Sequence, residues 1–525
     1  MKQLNQAGAA VKLRTKLMQG AALHQRGALA EAAAVYREVL AAAPRDFDAL
    51  HLLGVLEGQR GNPAGAAELL GRAVRVNPRD ATAHMNHGNA LLELKRVDDA
   101  LASYDRSVRL NPGDAQALYN RGVALAELCR PRDALESYQQ ALARQPGHAD
   151  AAYGTANMLC ALGRPAEAVA AYDRTLALDP KRADVWVNRG NALQEMGKTS
   201  AALESYARAL AVAPEHVDAH LNEALCRLLT GDYENGWRLY EWRWRTPAGA
   251  AFQRRFAQAQ WNGVDAVAGK TMLLHAEQGL GDTIQFCRYA KLVADRGAKV
   301  VVEVQPPLVA LLSTLRAADQ VLAHGDAVPP FDLHCPLVSL PGALHTRVDS
   351  IPADVPYLCS DPVRVMRWRT TLGETGRPRV GLVWSGSGTL ENDRRSIALA
   401  DFAQLCTGTL AYFGLQKEVR STDHAALQEC TSSRNLGPEL GDFADTAALI
   451  ELMDIVVTVD TSVAHLAGAM GKPVWILLSS SPTWRWLLDR NDSPWYPSAR
   501  LFRQSTPGDW SAPLQEVKRA LQALA

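Results

Sequence analysis

At 525 residues with 47% apolar side chains, the chain is long enough for two or three domains with cores of their own. Lys and Arg together number 56, as do Asp and Glu, so no net field recruits nucleic acid or an anionic membrane. Met1–Asn5 opens no apolar signal core, no apolar run approaches a spanning length of ~18 residues, and the 8 cysteines lack metal-ligand spacing, so a cytoplasmic protein with reduced thiols and no transmembrane segment is expected.

The first half is periodic. Pro44, Pro78, Pro112, Pro146, Pro180 and Pro214 recur every 34 residues. Gly20, Gly54, Gly88, Gly122 and Gly190 keep the same register, with Ala156 in the fifth place. Ala32, Ala66, Ala100, Ala134, Ala168 and Ala202 form a second column, and Tyr36, Leu70, Tyr104, Tyr138, Tyr172 and Tyr206 a third. Small residues where helices touch, an aromatic plug and a terminal proline resemble the tetratricopeptide repeat. Six full repeats and a degenerate seventh, through Gly231, Gly236 and Tyr240, are expected within residues 1–245. Such hairpins bury their apolar faces only by stacking, which makes a solenoid with a concave groove. First-helix positions carry Asn86, Asn89, Asn120, Asn157, Asn188, Asn191 and Asn222. Amides offer donors and an acceptor to an extended peptide, an arrangement similar to the groove of O-GlcNAc transferases. The same amides could instead tie neighbouring repeats together.

The array runs into Trp237-Arg238-Leu239-Tyr240-Glu241-Trp242-Arg243-Trp244-Arg245, where a final helix packing its rings at a junction is favoured over base stacking. Residues 246–260, with Pro247 and Gly249, read as a linker.

From Lys270 the pattern becomes α/β. Thr271–His275 reads as a strand, Ala276–Asp282 as a glycine-bearing turn, Thr283–Arg296 as a helix and Val300–Val304 as a strand. The turn is an incomplete dinucleotide fingerprint, because Ile284 stands where a third glycine belongs. Shorter units follow at Val321–Leu322 and Phe331–Leu340. A second lobe opens at Arg379–Trp384, followed by Ser385-Gly386-Ser387-Gly388 and a charged loop, Glu391-Asn392-Asp393-Arg394-Arg395-Ser396. Tyr412–Leu415 is a weak strand ending at Gln416-Lys417. Ile455–Val459, a helix over Val463–Met470 and Val474–Leu478 form a βαβ unit with Asp460, Thr461 and Ser462 at its turn. Ligands of parallel sheets bind beyond the carboxyl ends of the strands, and a helix start suits phosphate. Leu514–Leu524 closes the chain as an amphipathic helix.

QGLGDTIQF at Gln278–Phe286 and DTSVAHLAGAMGKP at Asp460–Pro473 resemble the two signature regions of heptosyltransferase-like glycosyltransferases. Together with the repeats, NDRRSI, DFADTAALI and SPWYPSARLFRQ, they resemble bacterial repeat-containing members of that group. The resemblance implies an α + α/β chain: an N-terminal tetratricopeptide α-solenoid followed by a GT-B glycosyltransferase of two Rossmann-like lobes, residues 261–362 on the acceptor side and 363–525 on the nucleotide-sugar side. It implies inverting, metal-independent transfer of a hexosyl- or heptosyl-type sugar from a nucleotide-sugar to an acceptor hydroxyl, on a protein or peptide held by the groove.

By match to the family's Gly-Asp motif, Asp282 is the candidate base, with Glu277 and His275 in reserve and Gly279 and Gly281 forming an acceptor loop. Ser385, Gly386, Arg394, Arg395, Gln416, Lys417, Asp460, Thr461, Ser462 and His465 are the donor-binding candidates. No Asp-x-Asp metal pair occurs in the catalytic half, so no cofactor or metal is expected. The alternative is a scaffold whose lobes bind nucleotide without turnover. Helix capping is the plain alternative for Asp282.

Overall fold

The computed structural model describes residues 2–386, 393–406, 408–429 and 433–524; the turn residues Ser387 and Gly388 and the loop residues Glu391 and Asn392 lie outside them. The chain divides into two compact units, Met1–Pro214 and Glu215–Ala525.

The first unit is a succession of helical hairpins, from Lys2–Gln25 with Leu29–Ala42 to Ala183–Glu195 with Thr199–Val212. Its sequence columns are contacts. A Cβ added at Gly88 would lie 2.6 Å from the Tyr104 ring, and one at Gly190 only 2.4 Å from Tyr206. Glycine and tyrosine are thus the two halves of one helix-helix contact, and Tyr36, Tyr104, Tyr138, Tyr172 and Tyr206 are all buried. Three first helices start at aspartate caps: Asp46, Asp80 and Asp114 accept from the N–H of Ala49, Ala83 and Ala117 at 2.9, 2.7 and 3.2 Å. Pro44 follows directly after the cap of Leu29–Ala42, where a helix cannot continue through it.

The second unit opens with the hairpin Val217–Leu229 and Tyr233–Tyr240, so residues 215–245, counted with the repeats on sequence grounds, cluster with the α/β half. Its rings are core. Trp237 meets Trp484 edge-on at 5.1 Å between centroids, and Trp495 Nε1 donates to the Tyr233 hydroxyl at 3.2 Å. The junction packing expected of this aromatic run is what forms. The linker is not irregular throughout: Pro247–Phe252 is helical, and Gly249 sits so close to the Arg243 carbonyl that a Cβ would fall 1.9 Å from its oxygen.

Two sheets follow, parallel throughout. The strands of the first are β1 (Thr271–His275), β2 (Lys299–Val304), β3 (Gln320–Ala323) and β4 (Leu333–Pro336), in the order β3-β2-β1-β4. Those of the second are β5 (Arg379–Val383), β6 (Ala411–Gly414), β7 (Ser433–Asn435), β8 (Ile455–Val459), β9 (Val474–Leu478) and β10 (Ala499–Arg503), in the order β10-β9-β8-β5-β6-β7. The edge strands β7 and β10 are missed by sequence reading, since Ser433–Asn435 and Ala499–Arg503 carry arginines and lack an apolar run. The central strands are Val/Ile/Leu-rich because helices cover both of their faces.

The helix expected over Thr283–Arg296 is two, Leu280–Phe286 and Tyr289–Ala294. Between them lies buried Arg288, which donates to the carbonyls of Gln285 and Trp495 at 2.8 and 2.7 Å and to the Tyr357 hydroxyl at 2.8 Å. A guanidinium in the core must find acceptors, and here it finds carbonyls.

Candidate functional site

The carboxyl ends of β1, β5, β6 and β8 all feed one cavity of about 610 Å³. After β1, the turn through Gly279 starts the helix Leu280–Phe286; after β8, Asp460 and Thr461 start the helix Ser462–Ala469. The two turns meet. A Cβ on Gly281 would lie 2.9 Å from His465 Cδ2 and 3.5 Å from Ser462 Cα, so the absent side chain leaves room for the buried imidazole of the facing helix. Gly279, Gly281 and Asp282 from one lobe and Ser385, Gly386, Arg395, Gln416, Lys417, Asp460, Thr461, Ser462 and His465 from the other all line the cavity.

Asp282 is engaged through both oxygens. Oδ2 accepts the Gly279 N–H at 3.0 Å, the helix cap anticipated as its plain role, and Oδ1 is paired with Arg485. Arg485 was not singled out from sequence. It reaches across from the loop after β9, donates from Nε to Gln285 at 2.8 Å and lies over the Trp484 ring at 4.4 Å. Its side chain is 13% exposed, so the ion pair with Asp282 is poorly screened. The one available cue was an arginine set between two tryptophans, Trp484 and Trp486.

Around the start of Ser462–Ala469, Thr461 is the N-cap in extended conformation and its side chain caps nothing; its hydroxyl lies 3.1 Å from that of Thr458. Asp460 Oδ2 accepts from the Thr483 hydroxyl at 3.0 Å. His465 Nδ1 is 2.9 Å from the Tyr496 hydroxyl, and its ring stacks on Trp486 at 5.5 Å. Burial, reinforced by Arg485, Arg288 and Arg395, holds the imidazole pKa well below its ordinary value, so His465 is neutral. Arg395 binds Asp393 through Nε at 2.9 Å and the Asp460 carbonyl through Nη1 at 3.4 Å. Lys417 is exposed and donates to the Gly441 carbonyl at 2.8 Å. The Ser385 hydroxyl oxygen is buried without a partner among the described residues.

Of two further donor-side candidates, Gln416 lines the cavity with its side chain already hydrogen-bonded and Arg394 does not line it. Gln416 accepts the N–H groups of Trp384 and Ser385 at 3.2 and 3.1 Å and donates to the Glu418 carbonyl at 2.9 Å. Its side chain therefore staples the ends of β5 and β6. Arg394 is exposed and is not part of the cavity wall, whereas its neighbour Arg395 is.

Residues 406–508 match glycosyltransferase family 9 (heptosyltransferase). Tetratricopeptide repeat families match residues 11–47, 51–115, 87–128, 119–183 and 157–227. The chain carries tetratricopeptide repeats followed by a family 9 glycosyltransferase domain. Protein FlbA of Caulobacter vibrioides is 26% identical over 329 residues, 58% of this chain and 54% of that protein, so the chain spans about half the length of the curated relative it matches. Among solved structures, YrrB, described as a TPR protein with an unusual peptide-binding site, is 21% identical with a TM-score of 0.33, covering 35% of this chain and 95% of its own. PilF of Pseudomonas aeruginosa is 20% identical with a TM-score of 0.37, covering 41% of this chain and 99% of its own.

The reserve bases of the glycosyltransferase domain are not in the cavity wall. His275, at the end of β1, is buried with Nε2 3.2 Å from His334 Nδ1, and burial aided by His334 pushes its pKa down to about 3. It is a packed core histidine under Phe256. Glu277 is buried as well. Its Oε1 accepts from Arg243 at 3.3 Å and from the Val338 N–H at 3.1 Å, and burial pushes its carboxyl up to about 7 despite Arg243. It faces a separate pocket.

In the repeats, the asparagines hold the solenoid together. Asn89, Asn157 and Asn191 each accept from the tyrosine plug of their own repeat, at 2.8 Å from Tyr104, 2.7 Å from Tyr172 and 2.8 Å from Tyr206. Asn120 donates to Asn89 at 2.9 Å, Asn188 to Tyr153 at 2.7 Å, and Asn86 lies 2.9 Å from His51, each across neighbouring repeats. Asn222 belongs to the second unit, on Val217–Leu229.

Proposed function

We propose that the cavity binds a nucleotide-sugar and that the domain transfers its sugar, with inversion and without a metal, to an acceptor hydroxyl on a protein. In the proposed step the acceptor oxygen attacks the anomeric carbon from the face opposite the leaving group. Its proton passes to a base, the carbon–oxygen bond to the diphosphate breaks, and the nucleoside diphosphate leaves with the electron pair. The observation that carries this reading is the approach of Gly281 to His465 and Ser462, which joins both signature turns in one cavity.

The diphosphate is assigned to the start of Ser462–Ala469, where free N–H groups, the Thr461 and Ser462 hydroxyls and the helix dipole favour an anion. Arg395, Lys417 and Arg485 line the same cavity and would neutralise the departing charge, commonly the largest electrostatic contribution to such catalysis. Asp282 is assigned as the base. It can take the proton once Arg485 turns from it to the diphosphate, so donor binding and release of the base are one event in this scheme.

A panel of nucleoside diphosphates and nucleotide-sugars tests the reading by thermal shift. One nucleotide class should raise the melting temperature, and its sugar should be consumed when acceptor is present. Failure of every nucleotide to stabilise the protein would end the proposal. A binding-only scaffold is the second reading, favoured by the double engagement of Asp282. It requires nucleotide affinity with no sugar consumed by the wild-type chain.

A further inference from the structure

Among the described residues, buried Arg288 is a cation without a carboxylate partner. Besides the carbonyls of Gln285 and Trp495 and the Tyr357 hydroxyl, it donates to the Pro352 carbonyl at 3.2 Å, and all four acceptors are neutral. The two guanidiniums that line the cavity are answered, Arg485 by Asp282 and Arg395 by Asp393. A buried charge left unanswered is costly and calls for an explanation.

The neighbours of Arg288 lead to the cavity. Its guanidinium lies over the Tyr496 ring, 4.7 Å from the centroid. Tyr496 is buried and wedged against Gly468, where a Cβ would come 2.4 Å from the ring. Its hydroxyl is 2.9 Å from His465 Nδ1. A cation on the ring face draws electron density from the phenol oxygen, which makes the hydroxyl a better donor and a poorer acceptor. Tyr496 therefore donates to Nδ1, and the neutral imidazole carries its one proton on Nε2. The Cδ2–Nε2 edge of the ring faces Gly281, the two atoms lying 2.9 and 3.6 Å from where a Cβ would stand. Nε2 is 4.0 Å from Asp460 Oδ1, beyond hydrogen-bonding distance, so this proton still lacks an acceptor.

We propose that Arg288 is a positioning residue for the donor: through Tyr496 it fixes His465 with its proton on Nε2, where the ring donates to a phosphate oxygen at the start of Ser462–Ala469. The proposal rests on the transferase reading of the cavity. An anionic oxygen suits both features, since it accepts from Nε2 and brings the negative charge that Arg288 lacks. A carbonyl or a sugar hydroxyl would meet only the first.

Two variants test the assignment on the full chain. Arg288→Met keeps an unbranched side chain and removes its charge. Tyr496→Phe keeps the ring and removes the hydroxyl, and it decides the matter alone should Arg288→Met not fold. ADP, GDP, UDP and CDP are titrated by calorimetry beside their uncharged nucleosides. Both variants should bind the diphosphate roughly tenfold more weakly, as expected for a hydrogen bond to a charged group, with affinity for the matching nucleoside unchanged. A merely structural role would lower both affinities alike. Nitrogen-15 shifts of labelled histidine, with His465 assigned by its loss in His465→Gln, should show the wild-type ring protonated at Nε2 and Tyr496→Phe as a mixture of tautomers. Parallel loss of nucleoside and diphosphate affinity, or a wild-type proton on Nδ1, would overturn the proposal. Diphosphate affinity and sugar transfer both unchanged in Tyr496→Phe would overturn it while leaving the transferase reading in place. Diphosphate-selective loss in a protein whose wild type consumes no sugar would support the positioning role and end the transferase reading. No binding of any diphosphate to wild type would end both.

Discussion

At the scale of single residues, Asp282 and Glu277 divide two kinds of carboxylate chemistry. Asp282 is half-buried, capped and paired with Arg485, and it lines the cavity. Asp282→Asn should cut turnover by roughly 10²–10⁴ while nucleoside diphosphate affinity is kept or strengthened, because Arg485 is freed from its ion pair, measured by steady-state rates beside thermal shift. Undiminished turnover would take the base role from Asp282. Glu277 predicts a pH signature instead. Its folded pKa of about 7 lies above the unfolded value of 4.5, so its contribution to stability is fully present below about 4.5 and is lost as pH rises through 7. Chemical denaturation should therefore find Glu277→Gln gaining stability relative to wild type on going from pH 5 to pH 8. Buried, neutral His465 has the opposite sign: its folded pKa is depressed, so its contribution is present above 6.5 and lost as pH falls below it, by up to about 1.4 kcal/mol per pH unit. The identity of Asp282 as a candidate was legible in Gln278–Phe286, but its partner was not. Arg485 follows 203 residues later, and no periodicity links residues on two different strand-end loops.

At the scale of elements, local pattern was nearly enough. The 34-residue columns of proline, glycine and tyrosine correspond to caps and helix-helix contacts. Gly190→Ala would drive a Cβ to 2.4 Å from the Tyr206 ring and should destabilise by about 1–3 kcal/mol, whereas Gly147→Ala meets nothing within 4 Å and should stay within about 0.5 kcal/mol of wild type. Equal denaturation midpoints for the two would mean that the column is not a contact. The asparagine ladder shows the limit of such reading. Its positions were legible, but the tyrosine hydroxyls and neighbouring amides that occupy Asn89, Asn120, Asn157 and Asn188 are contributed by other helices. The βαβ unit from β8 to β9 was likewise plain, while β7 and β10 were not, because an edge strand is held by backbone pairing and need not carry an apolar run.

At the scale of the whole molecule, two compact units predict two unfolding transitions in calorimetry. A bound nucleoside diphosphate should raise only the transition of Glu215–Ala525, by about 2.7 kcal/mol of stability at a hundredfold excess over its dissociation constant. Equal shifts of both transitions would contradict a site confined to that unit. Sequence by itself determined the repeat array, the parallel α/β half and the two signature turns. Each of these is written in the spacing of neighbouring residues, through helical and strand periods and the fixed demands of caps and glycine contacts. Only tertiary structure decided which chemical groups remain available. Arg485 reaches Asp282, Gln416 is held by two strand ends, His275 is sealed in a core, and Glu277 and Arg243 each keep a buried atom without a partner among the described residues. Hydrogen-bond occupancy and burial are set by whichever groups long-range packing brings together, and that pairing has no period along the chain.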